Sequence, residues 1–76
     1  LKDKRVESLE FSIKKDSPVI GIPLQKMAIK PNILICSINH KGSISIPSGQ
    51  SVIRAGDSVI VVTTNTRLND IKDILK

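Results

Sequence analysis

Aromatic residues are almost absent from this chain of 76 residues, which contains no Trp, no Tyr and a single Phe. Single-stranded nucleic acid is bound by OB and RRM modules largely through bases that stack on aromatic side chains. The net charge of +5 would suit a nucleic-acid partner, but the basic residues are scattered along the chain rather than clustered. We therefore expect no nucleic-acid partner, and a small nucleic-acid-binding β module remains a remote alternative.

The chain also has only one cysteine and one histidine. No intrachain disulfide can form, and a cysteine-based zinc site is excluded. Cys36 lies in an aliphatic run and is predicted to be buried as a small hydrophobe, whereas His40 is expected in a turn and in solvent. The two residues are four positions apart on a strand, roughly 13 Å at ~3.3 Å per residue, which is too far for a thiolate–imidazole pair. With no GxGxxG, Walker A or HExxH motif, the sequence predicts no catalytic residues, no metal site and no enzyme.

Long apolar runs are missing as well, and none approaches the ~20 residues of a membrane-spanning helix. The length predicts a single domain over residues 1–76, close to the lower limit for one hydrophobic core. With neither disulfide nor metal to stabilise it, the chain needs efficient aliphatic packing or association with another chain. Residues 1–5 are predicted to be the remnant of a linker from an upstream domain that is absent here.

What the chain does contain is a series of strand-like segments. Leu9, Phe11 and Ile13 alternate with polar residues, which predicts a first strand beginning near Val6. The continuous apolar run 33–38 predicts a strand that is buried on both faces. The remaining predicted β features are a hairpin turn at 39–42 with Gly42 in the left-handed position, a return strand that includes Ile44 and Ile46, a short piece at Val52 and Ile53, and a central last strand at 58–64.

Two segments have helical spacing. Pro23 suits the first position of a short helix in which Leu24, Met27 and Ala28 face inward, and Lys30-Pro31-Asn32 ends it. A second helix is predicted from an N-cap at Asn65 or Thr66 to the chain end, with Leu68, Ile71, Ile74 and Leu75 on its apolar face. The predicted fold class is therefore α+β, a small mixed β-sheet and hairpin module with one short helix and one C-terminal helix.

Two further residues are given specific interpretations. Asp57 follows Gly56, and its carboxylate is expected to accept a hydrogen bond from its own turn. Lys26-Met27 together with the later Ala-Gly-Asp turn is also found in lipoyl and biotinyl carrier domains. In those domains the lysine occupies a hairpin tip, whereas helical spacing surrounds Lys26 here, so the carrier function is a minor alternative.

The order of these segments resembles one family. ESLEFSI as the first strand, SPVIGIPLQKM as the connection and short helix, and NILICSINHKGSISIPSGQSVIRAGDSVIVV as the hairpin and last strands resemble the TrkA C-terminal (TrkA-C, or RCK-C) domain of Trk/Ktr-type potassium uptake regulators. The resemblance extends over nearly the whole chain. The order of the segments is more specific than any one motif.

This resemblance implies a cytoplasmic regulatory, ligand-sensing and dimerisation domain that couples a small ligand at a dimer cleft to transporter gating. The implied partners are a second copy in a homodimer, an upstream RCK-N domain and a membrane-embedded potassium transporter subunit at the inner face of the plasma membrane. NAD or ATP would belong to the upstream domain and not to these residues. The alternative is a C-terminal regulatory domain of another transporter or antiporter class.

The resemblance also implies a ligand site, because some members bind cyclic di-AMP between paired domains. No other cofactor is implied within this domain. The chain has neither the arginine on the short helix nor the histidine after Pro47 that belong to the binding pattern, and a dimer seam without ligand is the alternative role for the same residues. The corresponding positions are Val19, Ile20, Gln25, Lys26, Asn32, Pro47 and Ser48.

Overall fold

The protein is built on a four-stranded antiparallel sheet with the strand order β1-β4-β2-β3. The structure is a computed structural model that describes residues 5–65 and 67–76. Most of the predicted linker remnant, residues 1–4, lies outside the described residues. The strands are β1 (Glu7–Ser12), β2 (Ile33–His40), β3 (Ser43–Ser45) and β4 (Ser58–Thr63).

The aliphatic strand β4 is central, as its composition predicts. It pairs with β1 on one side and with β2 on the other. Val59, Val61 and Thr63 point to the covered face of the sheet and are almost fully buried. In β1 every second residue is half-buried, which confirms the predicted alternation.

Strand β2 contains a β-bulge that changes which of its side chains are buried. Ile35 pairs with Val61 and Ser37 pairs with Ile60, so that Cys36 is the extra residue. The alternation between covered and exposed side chains therefore shifts by one residue after the bulge. The prediction that this strand is buried on both faces is wrong, because Leu34 is 62% exposed. Burial of Cys36 was also predicted wrongly, since this thiol at the bulge is only half-buried.

The predicted hairpin between β2 and β3 is confirmed. His40 pairs with Ser43, and the two loop residues Lys41 and Gly42 have φ values of 50° and 88°. Two successive positive φ angles are what the type I′ turn requires, which matches the right-handed twist of the strands. The Asn39 side chain accepts a hydrogen bond from the Gly42 N–H at 2.9 Å and closes the turn.

The predicted short helix is a single 3₁₀ turn, Leu24–Lys26. Met27 already has extended dihedral angles, and Ile29 forms an antiparallel bridge with Leu75. The backbone that would continue the helix is thus used to pair with the end of the chain. The α+β fold class is wrong for this reason and for the one that follows.

The predicted C-terminal helix is also absent, and a 3₁₀ helix, Ile71–Ile74, takes its place. Three-residue spacing of Leu68, Ile71 and Ile74 suits the 3₁₀ period as well as the α-helical one. The Lys30 N–H donates to the Ile74 carbonyl at 2.8 Å, and the Lys76 N–H donates to Ala28 at 2.9 Å. Both N–H groups would donate to a carbonyl four residues earlier in an α-helix, so these inter-segment bonds replace helical ones.

The predicted N-cap has a different role. Asn65 accepts a hydrogen bond from the Arg67 N–H at 2.9 Å, which forms an Asx turn and not the start of a helix. The other candidate, Thr66, lies outside the described residues. In the part of the chain that the structure describes, the only helices are these two 3₁₀ turns, so none is long and apolar enough to cross a bilayer.

A single aliphatic core lies between one face of the sheet and the loops and 3₁₀ turns that cross it. β-Branched residues dominate this core, in keeping with the Ile- and Val-rich composition. Its buried members are Ile13, Val19, Met27, Ile35, Ile38, Ile53, Val59, Val61, Leu68, Ile71 and Ile74.

Candidate functional site

An apolar groove of about 290 Å³ lies where the start of β2 meets the first 3₁₀ turn and the loop after β3. None of its residues is charged, and five are aliphatic. The lining residues are Leu24, Gln25, Ile29, Ile33, Leu34, Ile35, Pro47, Ser48 and Gly49.

Backbone hydrogen bonds fix one wall of this groove. The Gln25 N–H donates to the Gly49 carbonyl at 2.9 Å, and the Leu24 N–H donates to Ser51 at 3.0 Å. Within the loop, the Ser48 N–H donates to the Ser51 Oγ at 2.9 Å. The 3₁₀ turn and the loop are therefore joined as one unit that holds the polar side chains of Gln25 and Ser48 beside the aliphatic floor.

Gly49 is required at this junction because the Gln25 side chain lies against it. A Cβ at position 49 would be 2.7 Å from the Gln25 Oε1 and 3.0 Å from its Cβ. The first atom could move with the flexible amide, but the second belongs to the backbone-anchored end of the side chain. Any larger residue at position 49 would push the loop and the 3₁₀ turn apart and widen the groove.

The structure brings three of the predicted site residues together: Gln25, Pro47 and Ser48 all line the groove. Lys26 is exposed on the same 3₁₀ turn. Asn32 is exposed immediately before β2, with a positive φ of 64°.

The other two predicted residues are placed differently. Val19 has no exposed surface, so a ligand in the groove would not touch its side chain. Ile20 is half-buried and forms a parallel bridge with Ile53. Sequence reasoning missed the groove residues Ile33 and Leu34, because the run that contains them was interpreted as buried on both faces.

Lys26 does not occupy the position that a carrier domain requires. It lies on the first 3₁₀ turn, whereas the tip of the β2–β3 hairpin is formed by Lys41 and Gly42. The geometry therefore disfavours the lipoyl-type alternative, in which the modified lysine stands at a hairpin tip.

A second polar cluster lies at the other end of β2. The Asp57 carboxylate is 1% exposed and accepts a hydrogen bond from the Arg54 N–H at 2.9 Å, which confirms the predicted turn interaction. Its second oxygen is 2.5 Å from the His40 Nδ1. The expectation that His40 lies free in solvent is wrong, because this contact leaves its side chain 36% exposed.

The strand register explains the His40 contact. Ile38 pairs with Val59 on the covered face and Asn39 pairs with Ser58, so the next position along places His40 opposite Asp57 on the covered side. Without the bulge at Cys36, His40 would have the opposite parity and point to the other face. The apolar run 33–38 shows no alternation that would reveal the bulge, so only the strand pairing shows the change of parity between Ile35 and Ile38.

Two further carboxylates, those of Asp73 and Asp70, hold the last turn. The Asp73 Oδ2 accepts from the backbone N–H groups of Asn69 at 2.9 Å and Asp70 at 3.0 Å. The hydrogen bond from Asn69, followed by that from Asp70, lowers the pKa of Asp73 below 3.8. In return the Asp70 side chain accepts from the Lys72 N–H at 3.1 Å, so the two carboxylates cap the turn reciprocally.

Metal binding finds no support in these clusters. Among residues 5–65 and 67–76, no three His, Cys, Asp or Glu side chains are grouped so as to hold an ion. The groove instead offers flat aliphatic surface beside two neutral hydrogen-bonding side chains. Such a surface suits an apolar or aromatic ligand group, or a second protein surface.

The TrkA-C domain family model matches residues 9–76. The chain belongs to this family. It is 32% identical over 71 residues to the "Trk system potassium uptake protein TrkA homolog" of Pyrococcus abyssi, an alignment that spans 92% of this chain and 31% of that protein. It is 33% identical over 70 residues to the protein of the same name from Archaeoglobus fulgidus, spanning 92% of this chain and 16% of the relative.

A solved structure shares the fold of this TrkA-C domain. The chain described as "Structure of RCK domain with cda" superposes with a TM-score of 0.73 at 20% identity, covering 91% of this chain and 97% of that one. The family resemblance predicted from the order of segments is confirmed by the family model and the relatives. The chain spans less than a third of the length of the curated relatives given above.

Proposed function

We propose that this TrkA-C domain is the regulatory part of a potassium uptake system, and that it binds a ligand and changes transport rather than conducting ions or catalysing a reaction. The family match and the names of the relatives support this proposal. The uncharged groove that gathers Gln25, Pro47 and Ser48 is the observation that carries it.

A second copy of the domain would cover apolar surface that one copy leaves in solvent. Leu34, at the groove, is 62% exposed, and Ile44 and Ile46, at the β3 edge, are 69% and 89% exposed. Burial of apolar surface contributes about 25 cal/mol per Å², and small aliphatic domains of this length gain much from it. Strand β3 is also an edge strand with an unpaired row of backbone groups.

The groove is large enough for about half of a dinucleotide. Its volume of about 290 Å³ is at the lower end of the ~300–1,000 Å³ range of pockets for small molecules, so a dinucleotide would need a second copy to complete its site. Leu34 and Pro47 can contact an adenine face, while Gln25 and Ser48 can bond its edge. Lys26, on the adjoining turn, can meet a phosphate. Cyclic di-AMP, the ligand implied by the family resemblance, contains both an adenine base and a phosphate.

Ligand binding between two copies would act through their relative orientation. A ligand that prefers one arrangement of the pair shifts the equilibrium toward it, by a coupling of about 1–3 kcal/mol in typical allosteric proteins. Transmitted to an upstream RCK-N domain and a membrane-embedded transporter subunit, this coupling would change transport several-fold.

A thermal-shift screen with cyclic di-AMP, ATP and NAD tests the proposal. At about 100 times its dissociation constant a ligand adds about 2.7 kcal/mol of stability, so the melting temperature should rise with cyclic di-AMP and not with NAD. Lys26→Gln should reduce the rise, whereas Lys15→Gln, an exposed lysine that does not line the groove, should not. If cyclic di-AMP produces no rise at any concentration, it is not the ligand, and if none of the three compounds produces a rise, a purely structural dimer seam is the remaining role.

A further inference from the structure

A second pocket lies at the opposite end of β2 from the groove, between the hairpin and the loop that leads to β4. Its volume is about 310 Å³, and it shares no residue with the groove. The pocket is lined by Ile38, His40, Ser45, Gln50, Ser51, Val52, Arg54 and Asp57.

One ring nitrogen of His40 is fixed by a buried partner. Asp57 accepts at 2.5 Å from Nδ1, and a carboxylate only accepts hydrogen bonds, so Nδ1 carries the proton. Nε2 is the ring nitrogen not held by Asp57, and the His40 side chain is 36% exposed at the pocket wall. Asp57 therefore holds the His40 ring in one orientation, as carboxylates that bond the far nitrogen of a ligand-binding imidazole do.

The acidic charge in this pocket is covered, and the basic charge is not. Asp57 is 1% exposed, and its Oδ2, the oxygen that does not contact His40, accepts from the Arg54 N–H at 2.9 Å. Arg54 is exposed, and its guanidinium is the one permanently charged donor among the eight lining residues. Gln50, Ser45 and Ser51 add neutral donors to the same wall. Both Asp57 oxygens are taken up by hydrogen bonds inside the protein, so the groups left for a ligand are neutral donors and the one exposed guanidinium.

We propose that this pocket binds the phosphate group of a small phosphate monoester, with Arg54 as the charged anchor and His40 as the oriented second contact. Phosphate has three acceptor oxygens and pairs bidentately with guanidinium, which matches a wall with several donors better than a two-oxygen carboxylate does. The volume suits a small molecule rather than a dinucleotide. This inference does not rest on the groove ligand, since no lining residue is common to both sites.

Titration of the 76-residue protein with inorganic phosphate, followed by amide and histidine ring signals in NMR, tests the site. Ionic strength is held constant with chloride, because surface lysines bind anions in a salt-dependent manner. We expect saturable shifts centred on His40, Gln50 and Arg54. Arg54→Gln should weaken the phosphate affinity about tenfold or more, whereas Arg67→Gln, an exposed arginine outside the pocket, should leave it unchanged.

Two further arms make the outcome decisive. His40→Gln should also weaken phosphate binding, and if that variant does not fold, the Arg54 and Arg67 pair decides alone. Acetate in place of phosphate should bind more weakly. Equal affinity in the two arginine variants, shifts spread over many lysines, or acetate binding as tightly as phosphate would each overturn the proposal. A failure of cyclic di-AMP to bind the groove would leave these results unaffected.

Discussion

The two faces of the sheet are made from the same kinds of aliphatic residue, but they differ in what covers them. On the inner face Val59, Val61 and Ile38 are at most 5% exposed. On the outer face Leu34 is 62% exposed, and Ile44 on the edge strand is 69% exposed. Composition alone does not separate these groups, because both are Ile, Leu and Val. The strand register separates them. The covered residues stabilise the fold, and the exposed residues remain accessible to a partner.

A single inserted residue decides which side chains belong to which set. The bulge at Cys36 changes the parity of β2 between Ile35 and Ile38. As a consequence Leu34 points out and Ile38 points in, although they are four residues apart on one strand. The same shift turns His40 toward Asp57.

The largest expected effect contrasts these two residues of β2. Ile38→Ala removes a buried side chain and leaves a cavity, so we expect the free energy of unfolding to fall by about 2–5 kcal/mol. Leu34→Ala should change it by about 0.5 kcal/mol or less, as exposed positions usually do. Urea denaturation at the lowest practical protein concentration measures both without a contribution from association. Similar losses for the two variants would contradict the assignment of the faces.

The next effect concerns the buried carboxylate at the inner edge of the sheet. Asp57→Asn removes the charge, and its one amide oxygen can accept from only one of the Arg54 N–H and His40, so we expect a loss of about 1.5–3 kcal/mol in the free energy of unfolding. Asp16→Asn, at an exposed position, is the matched control and should be neutral. Equal stability of the two variants in thermal denaturation would show that the Asp57 contacts do not stabilise the fold.

A smaller effect is expected at the groove. Gly49→Ala places a Cβ against the Gln25 side chain, and overpacking of this kind costs about 1–3 kcal/mol. Gln50→Ala, the exposed neighbour, should be nearly neutral. Amide chemical shifts of Gln25 should move in the first variant only. Unchanged shifts and stability would mean that the loop and the 3₁₀ turn are not in the contact described.

The smallest effect is a pH dependence at the last turn. Because hydrogen bonds lower the folded-state pKa of Asp73 below 3.8, its contribution to stability is fully present above about pH 3.8 and is lost as the pH falls through the lowered value. Asp73→Asn should therefore be less stable than the parent at neutral pH, and the difference should shrink as the pH falls below 3.8. A difference that is independent of pH would exclude this capping role.

Much of the sheet could be predicted from the sequence because its signals are local. Alternation in Leu9 and Phe11 and the Lys41-Gly42 turn each depend on a few adjacent residues. The prediction of a C-terminal α-helix was wrong because the three-residue spacing of Leu68, Ile71 and Ile74 fits both an α-helix and a 3₁₀ helix. Only the distant pairing of residues 28–30 with the chain end decides between them.

The ligand site stays a prediction, but the places of its residues in the fold can be compared. Gln25, Pro47 and Ser48 lie together at the groove. Val19 is buried instead, because the connection before the first 3₁₀ turn packs it against the core. The His40–Asp57 contact depends on a bulge, and bulges leave little trace in a single sequence.

Sedimentation equilibrium over a range of protein and salt concentrations tests whether the exposed outer face joins two copies. We expect a dimer that persists at high salt, since apolar contacts are not screened, and that dissociates in a Leu34→Ser, Ile44→Ser double variant with unchanged circular dichroism. A protein that is monomeric at every concentration, or a double variant that dimerises as well as the parent, would contradict it.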